Sequence, residues 1–412
     1  MANEIITPSI IAKEALVQLE NNMVFGNIVH RDYKQEFKKV GATVDIRKPV
    51  KFHTVSGAAL SKQDVTEGTT NITIDKQEHV AFEFTTADQA LSIEQYSERY
   101  IKPGMIALAN TMDRDIASLY SSVWNWVGTP GQTINSFADL SKGPERLDEM
   151  AVQEDGRIGA LAPRDRYGLA ATQTGLFSDK LSIGAYESAR LGDISGAMTY
   201  ATQNVRNHTV GALGGTPLVD GANQNVTYST ARNTNTQTLN TDGWSNSVTG
   251  VLKKGDVFTV AGVYAVNPVP ARGTDGKDVL DFLQQFVVTA DADSDGSGDA
   301  ALTISPAIIT TGPYQTVSAA PADNAAITVV GSAATAYRSN LVMHKNAFAL
   351  AICDLEPPNG GAKHFTQRHN GLSVRVVEQY DINTDANILR MDVLYGVKAI
   401  YPDLATRISG TA

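Results

Sequence analysis

The sequence predicts an α+β chain that carries an inserted β-rich domain, and three observations predict it. Val80, Phe82 and Phe84 alternate as in a half-buried strand. After a polar bend, apolar residues follow at Met105, Leu108, Met112, Ile116, Leu119 and Val123. Steps of three or four lay those side chains in one stripe along more than about five turns of a spine-like helix. Second, from residue 222 the composition turns to Asn, Thr, Ser and Gln, and Lys254-Gly255-Asp256 then opens into the β-rich run Val257 to Val263. Third, Ile388, Leu389, Met391, Val393, Leu394, Val397 and Ile400 form a nearly continuous apolar run, as in a strand buried on both faces.

Composition narrows the classes. With 412 residues, 42% hydrophobic and 19% charged, the chain is an ordinary globular protein with room for about two or three cores. No apolar run reaches the roughly 18 residues that a membrane helix needs. Met1 to Thr7 lack the basic start and apolar block of a signal peptide, so a chain made and kept in a cytosol is expected. The single cysteine, Cys353, sits in the apolar run Ala347 to Cys353 and reads as a small buried hydrophobe, which leaves any assembly noncovalent. A formal charge of −10 with no Lys/Arg run argues against phosphate clamping, although an acidic protein can enclose DNA without adhering to it.

Along the chain, Thr7 and Pro8 are an N-terminal cap and first turn for an amphipathic helix with Ile11, Ala15, Leu16 and Leu19 on one stripe, ended by Asn21 and Asn22. Glu14 and Glu20, with Lys13, occupy its other face, which is either simply solvated or a docking surface for a basic partner segment. Val44, Ile46, Lys48, Val50 and Phe52 alternate, the stretch Ser56 to Gly68 is polar, and Ile72 and Ile74 resume the pattern. This predicts an extended hairpin that cannot bury itself and needs a neighbour. Arg47, Lys48, Lys51 and Lys62 are its candidates for pairing with acidic groups there, orienting more than binding because exposed pairs contribute about 0–1 kcal/mol.

Residues 140–220 read as mixed α/β. Gly143-Pro144 precede a helical stretch at Glu145 to Glu154, Arg164 to Tyr167 precede another at Leu169 to Thr174, and Gly211 to Gly215 with Pro217 close the region. Beyond the Asn/Thr-rich stretch, strands are expected at Val257 to Val263, Phe286 to Thr289, Leu302 to Ser305 and Ile327 to Val330, as in a small barrel or sandwich.

Catalytic motifs are missing. The seven histidines are scattered, no pair shows the i, i+4 zinc spacing with a glutamate between, no Gly-x-Ser-x-Gly elbow or phosphate loop occurs, and His364 and His369, five apart, are not expected to hold a metal. Asp291, Asp293 and Asp295, with Gly296, copy the first half of an EF-hand loop, but Leu302 stands where its bidentate glutamate would be. A solvated acidic loop is the expectation, with weak Ca²⁺ binding the alternative. No cofactor is called for.

Val29-His30-Arg31-Asp32-Tyr33 with Phe37, Gly41 to Pro49, the strand and helix at 80–126, Lys254 to Val263, and Tyr395-Gly396-Val397 with Pro402 together resemble the major capsid proteins of P22-type tailed bacteriophages. The resemblance implies an HK97-like fold: N-terminal arm 1–40, E-loop hairpin 41–85, spine helix and peripheral domain 86–160, and first axial part 161–221. It continues with an inserted β-barrel at 222–336 and a second axial part with the C-terminal peripheral strand at 337–412. It implies a shell of hexamers and pentamers, built on a scaffolding protein with a portal at one vertex in the cytoplasm of a bacterial host. That procapsid expands around double-stranded DNA without sequence-specific binding and without a membrane. Glu14 and Glu20 are then candidates for scaffold contact, and the hairpin lysines and arginine for the subunit interface. The competing class is a soluble β-rich adhesion or carbohydrate-binding protein, with Trp244 in a recognition module.

Overall fold

The computed structural model describes residues 8–31, 41, 43–55, 58, 60, 62–63, 65–85, 97–173, 192–269, 277–358, 362–381 and 386–411. They fall into two compact units. One comprises Met1–Ile46, Asn71–Ala117 and Phe348–Lys398, the other Arg47–Thr70, Ser118–Ala347 and Ala399–Ala412.

The first unit lays helices on a five-stranded sheet. Its strands run Phe348–Cys353, Ala386–Ala399, Leu372–Asp381, Lys363–His369, and Lys76–Thr85 also pairs with Ala386–Ala399. Val80 stands opposite Met391 and Phe82 opposite Leu389, so the two apolar patterns read from sequence are partners. Met391 to Tyr395 are buried, whereas Ile388 is 39% exposed, so only the middle of the strand is covered on both faces.

Helix Pro8–Asn22 buries Ile11, Ala12, Ala15, Leu16 and Leu19. It packs on helix Lys102–Ala117 and on strands Lys363–His369 and Leu372–Asp381, and is part of this unit's core. Its expected cap, Thr7, and the polar bend before residue 97 lie outside the described residues. Lys102–Ala117 buries Met105, Leu108, Met112 and Ile116. The expected stripe goes further than the helix does, because Leu119 falls in the 3-10 turn Ser118–Ser122, which buries nothing. There Ser121 Oγ donates to the Ser118 carbonyl at 3.1 Å, the kind of local bond that competes with helix propagation.

Buried and half-buried carboxylates tie this unit together. Asp113, fully buried, accepts from the backbone N–H groups of Val24 (2.7 Å) and Gly26 (3.0 Å). Asp115 accepts from Tyr395 Oη at 2.8 Å and Lys76 Nζ at 2.7 Å, and burial followed by that bond raises the Tyr395 phenol's pKa. Asp392, fully buried, lies between Arg375 (2.8 Å) and Arg390 (2.6 Å), and two guanidinium donors offset its desolvation. Further along the same strand, a Cβ on Gly396 would lie 2.1 Å from the Thr73 carbonyl oxygen, so the Tyr395-Gly396-Val397 motif is a close backbone crossing.

The second unit holds two six-stranded sheets. The first has the order Trp126–Val127, Ala405–Ile408, Asn340–His344, Arg157–Leu161, Ala197–Ala201, Asp193–Ile194. Helices Phe137–Glu149 and Pro163–Gln173 contribute Leu140, Leu147 and Leu169 to its core. Both helices begin earlier than their sequence pattern suggests. Ser136 caps the first by accepting from Asp139 N at 3.1 Å, which places Gly143-Pro144 inside it. Arg164 to Tyr167 are inside the second, where buried Asp165 accepts from Ile134 N, Arg338 Nε and Asn340 Nδ2, each at 3.0 Å.

The other sheet has the order Ile327–Val329, Val257–Val266, Val279–Val288, Ala300–Ser305, Gln237–Trp244, Gly215–Val219. Its outer strands meet: Leu218 bridges Ala326, and Val219 N donates to Ala325 O at 3.0 Å, so the sheet closes on itself. Val219, Leu239, Phe258, Val260, Phe286, Leu302 and Ile304 fill the interior. Strand Gln237–Trp244, inside the Asn/Thr-rich stretch, has no counterpart in the hydrophobic pattern. Its buried positions include Gln237 and Thr241, whose polar atoms are satisfied by Ile308 N and Ala300 O.

Candidate functional site

The hairpin holds the subunit-interface candidates read from the sequence. Thr43–Arg47 pairs with Thr69–Thr73 as a two-stranded sheet. Beyond it the chain is irregular, and Phe52, Val55, Leu60 and Val65 are 52%, 42%, 84% and 63% exposed. Apolar surface therefore stands where sequence suggested a polar tip. Arg47 meets Glu67 of its own chain at 3.2 Å, both largely in water. Lys48 Nζ donates to the carbonyls of Arg232 (3.1 Å) and Asn233 (3.2 Å). Lys51 N donates to Tyr314 Oη at 3.1 Å, and Lys62 is exposed.

Sequence reasoning missed a buried joint at Lys254-Gly255-Asp256. Asp256 accepts from His208 Nε2 at 2.6 Å, Lys253 N at 2.7 Å and Gly211 N at 3.0 Å. His208 Nδ1 on the other side of the ring lies 3.1 Å from the Tyr120 hydroxyl, within hydrogen-bond distance. Gly255 has φ +100°, and a Cβ there would meet His208 Cε1 at 3.1 Å. Its carbonyl accepts from Arg407 Nη1 at 2.7 Å. The fully buried Arg407 guanidinium lies 5.1 Å from the Tyr120 ring centroid and 5.4 Å from that of Trp126. Burial pulls its pKa down to about 10, against the pull of Tyr120 and Asp256. The same burial raises the Tyr120 phenol.

Two further contacts reach strand Val279–Val288. Gln285 bonds both backbone groups of Trp126 (2.6 and 2.8 Å), and the Arg146 guanidinium lies 3.5 Å from the Phe282 ring centroid. The two sheets of the second unit are thus fastened by charge, aromatic faces and paired amides. The arrangement can hold; it presents no open cleft to a reactant, since Asp256, His208 and Arg407 are 1%, 2% and 0% exposed.

The remaining candidates do not gather. Asp291, Asp293 and Asp295 each turn to backbone amides, of Lys254, Gly250, and Ser297 with Asp299. One oxygen of each, Oδ1, is thus held in turn geometry, and Leu302 is core. Among the described residues no group of three or more His, Cys, Asp or Glu could hold a metal ion. His364 and His369 both lie on strand Lys363–His369, where an odd separation puts them on opposite faces. Glu14 accepts from Gln18 (2.9 Å) and Glu20 from Asn370 (2.7 Å), both within their own unit. Trp244 is 3% exposed and donates to Thr241 Oγ1, so it is no platform for a sugar. No helix of the described residues is long and apolar enough to cross a membrane.

A family model described as "P22 coat protein - gene protein 5" matches residues 1–410. The chain belongs to the P22 coat protein family. It is a major capsid protein, a structural subunit of the icosahedral phage shell, and its place is the virion capsid. Among solved structures it is similar to one titled "Mycobacterium phage Che8" (14% identity, 93% of this chain and 90% of that chain, TM-score 0.47). It is also similar to the capsid of Ralstonia phage GP4 (9% identity, 100% and 94%, TM-score 0.44). A third is the capsid of Cyanophage P-SCSP1u (13% identity, 95% and 89%, TM-score 0.43). No curated protein matches the chain. The family assignment rests on the family match alone.

Proposed function

We propose that this coat protein adopts an HK97-like fold and builds its shell as hexamers and pentamers on a scaffolding protein, with a portal at one vertex. Assembly takes place in the cytoplasm of a bacterial host, and the procapsid expands when double-stranded DNA is packaged. The observation that carries this reading is the family match over residues 1–410. In this reading the segments are arm 1–40, E-loop 41–85, spine and peripheral domain 86–160, axial parts 161–221 and 337–412, and insertion 222–336. Apolar side chains at 52–65 find cover on a neighbour, and Glu14 and Glu20 face the scaffold. A charge of −10 lets packaged DNA lie inside without clamping, because tight adhesion needs clustered cations. The work is structural and uses no catalytic step.

Sedimentation and negative-stain microscopy of the protein coexpressed with its scaffold test this. Closed shells are expected, and a monodisperse monomer with glycan affinity would overturn it.

A further inference from the structure

Lys48, Lys51, Thr66, Gly68 and Thr69 lie against a patch of their own chain that includes Tyr228, Arg232, Asn233 and Tyr314. The rings of Tyr228 and Tyr314 stack face to face at 3.5 Å between centroids with 4° between planes. Tyr314 Oη accepts from Lys51 N and donates to Thr66 O at 3.3 Å, clasping both arms of the segment with one hydroxyl. Asn233 Oδ1 accepts from Thr69 N at 3.1 Å, and Lys48 Nζ reaches the Arg232 and Asn233 carbonyls. Gly68 is pressed so close that a Cβ would stand 2.5 Å from Arg232 O and 3.0 Å from Tyr228 Oη.

We infer that Tyr228, Arg232, Asn233 and Tyr314 form a seat for residues 48–69 of the same chain. The segment keeps this seat in the shell while turning Phe52, Val55, Leu60 and Val65 toward a second copy. The inference rests on the reading of the hairpin as the element that reaches a neighbour. Four considerations carry it. Among its described residues no large apolar side chain is buried. The seat grips main-chain groups and leaves the apolar side chains outward. An extended segment ordered before association loses less freedom on binding than a loose one. Four large apolar side chains exposed within so short a stretch make a surface that water disfavours and another subunit can cover.

Two measurements test it. In Thr69→Cys/Asn233→Cys, joined by a short bis-thiol linker, linked subunits are expected to form shells as well as unlinked ones. If linked subunits stay unassembled while unlinked ones assemble, the segment leaves its seat and the inference falls. In Tyr314→Ala, backbone hydrogen exchange across 48–69 in the isolated subunit is expected to speed up, and the concentration needed for assembly to rise roughly tenfold. Unchanged exchange would show there is no seat. Faster exchange with unchanged assembly would show that the seat does not prepare the segment. Exchange is read on unassembled protein, so a parent chain that forms no shell tells against the assembly reading while the seat is still decided.

Discussion

Around Asp256, polar and charged side chains are withdrawn from water, with Arg407 0% and His208 2% exposed; around Phe52, apolar side chains are turned out to it, from 42% to 84% exposed. The joint joins side chains scattered over nearly 300 residues, from Tyr120 to Arg407, and removing His208 or Arg407 strips a donor from a buried acceptor, Asp256 or the Gly255 carbonyl. The tip is gripped by its main chain and keeps its side chains free. A shell subunit needs both: an interior that stays the same in every copy, and a surface unsatisfied until another copy arrives.

The largest effect that would break this comparison is Arg407→Ala. It empties the site of a fully buried side chain and strips a partner from Gly255 O, and should cost about 3–5 kcal/mol in chemical denaturation. A loss under about 1 kcal/mol would make the joint incidental.

Next, Gly396→Ala forces the strand away from Thr73 and should cost about 1–3 kcal/mol by the same assay, without touching the joint.

Lys277 sharpens the contrast by pH. It is 8% exposed, its Nζ donates to Gln315 O at 2.9 Å, and burial, then the charge of Lys51, lowers its pKa to about 7. The folded state thus holds this proton less tightly than the unfolded chain. The penalty is complete below pH 7 and is relieved as pH rises from there toward the ordinary lysine value, by at most about 1.4 kcal/mol per pH unit. Lys277→Met should flatten that rise in thermal melts taken from pH 6 to 10.

The smallest change in stability is expected at the tip. Leu60→Ser should leave subunit melting within about 0.5 kcal/mol and still reduce shell yield in sedimentation.

Sequence showed what depends on local period and hid what depends on distant partners. Val80 and Phe82, the stripe from Met105 to Ile116 and the run from Met391 to Tyr395 are legible because burial on one or two faces writes a repeat into neighbouring residues. Strand Gln237–Trp244 escaped because its inward positions include Gln237 and Thr241, polar residues made tolerable by hydrogen bonds to Ile308 N and Ala300 O. The joint escaped for a further reason. His208 and Asp256 are 48 residues apart and Arg407 far beyond, so no window contains them. A trace did exist in the glycine before Asp256 and in a lone arginine amid the small and apolar residues of Ala405–Ile408, and each marks a backbone or charge held by something remote. At the hairpin, period two showed the paired strands, but the seat on Tyr228 and Tyr314 uses main-chain donors and acceptors that every residue shares.

The meeting of Leu218 with Ala326 has a consequence for a cell filled with copies of one subunit. A sheet with a spare margin is a template onto which any extended peptide can add, the first step toward fibres. Here the margins are stitched to each other, so that template is withdrawn before crowding begins. Through this sheet, copies are left to recognise one another by side chain alone.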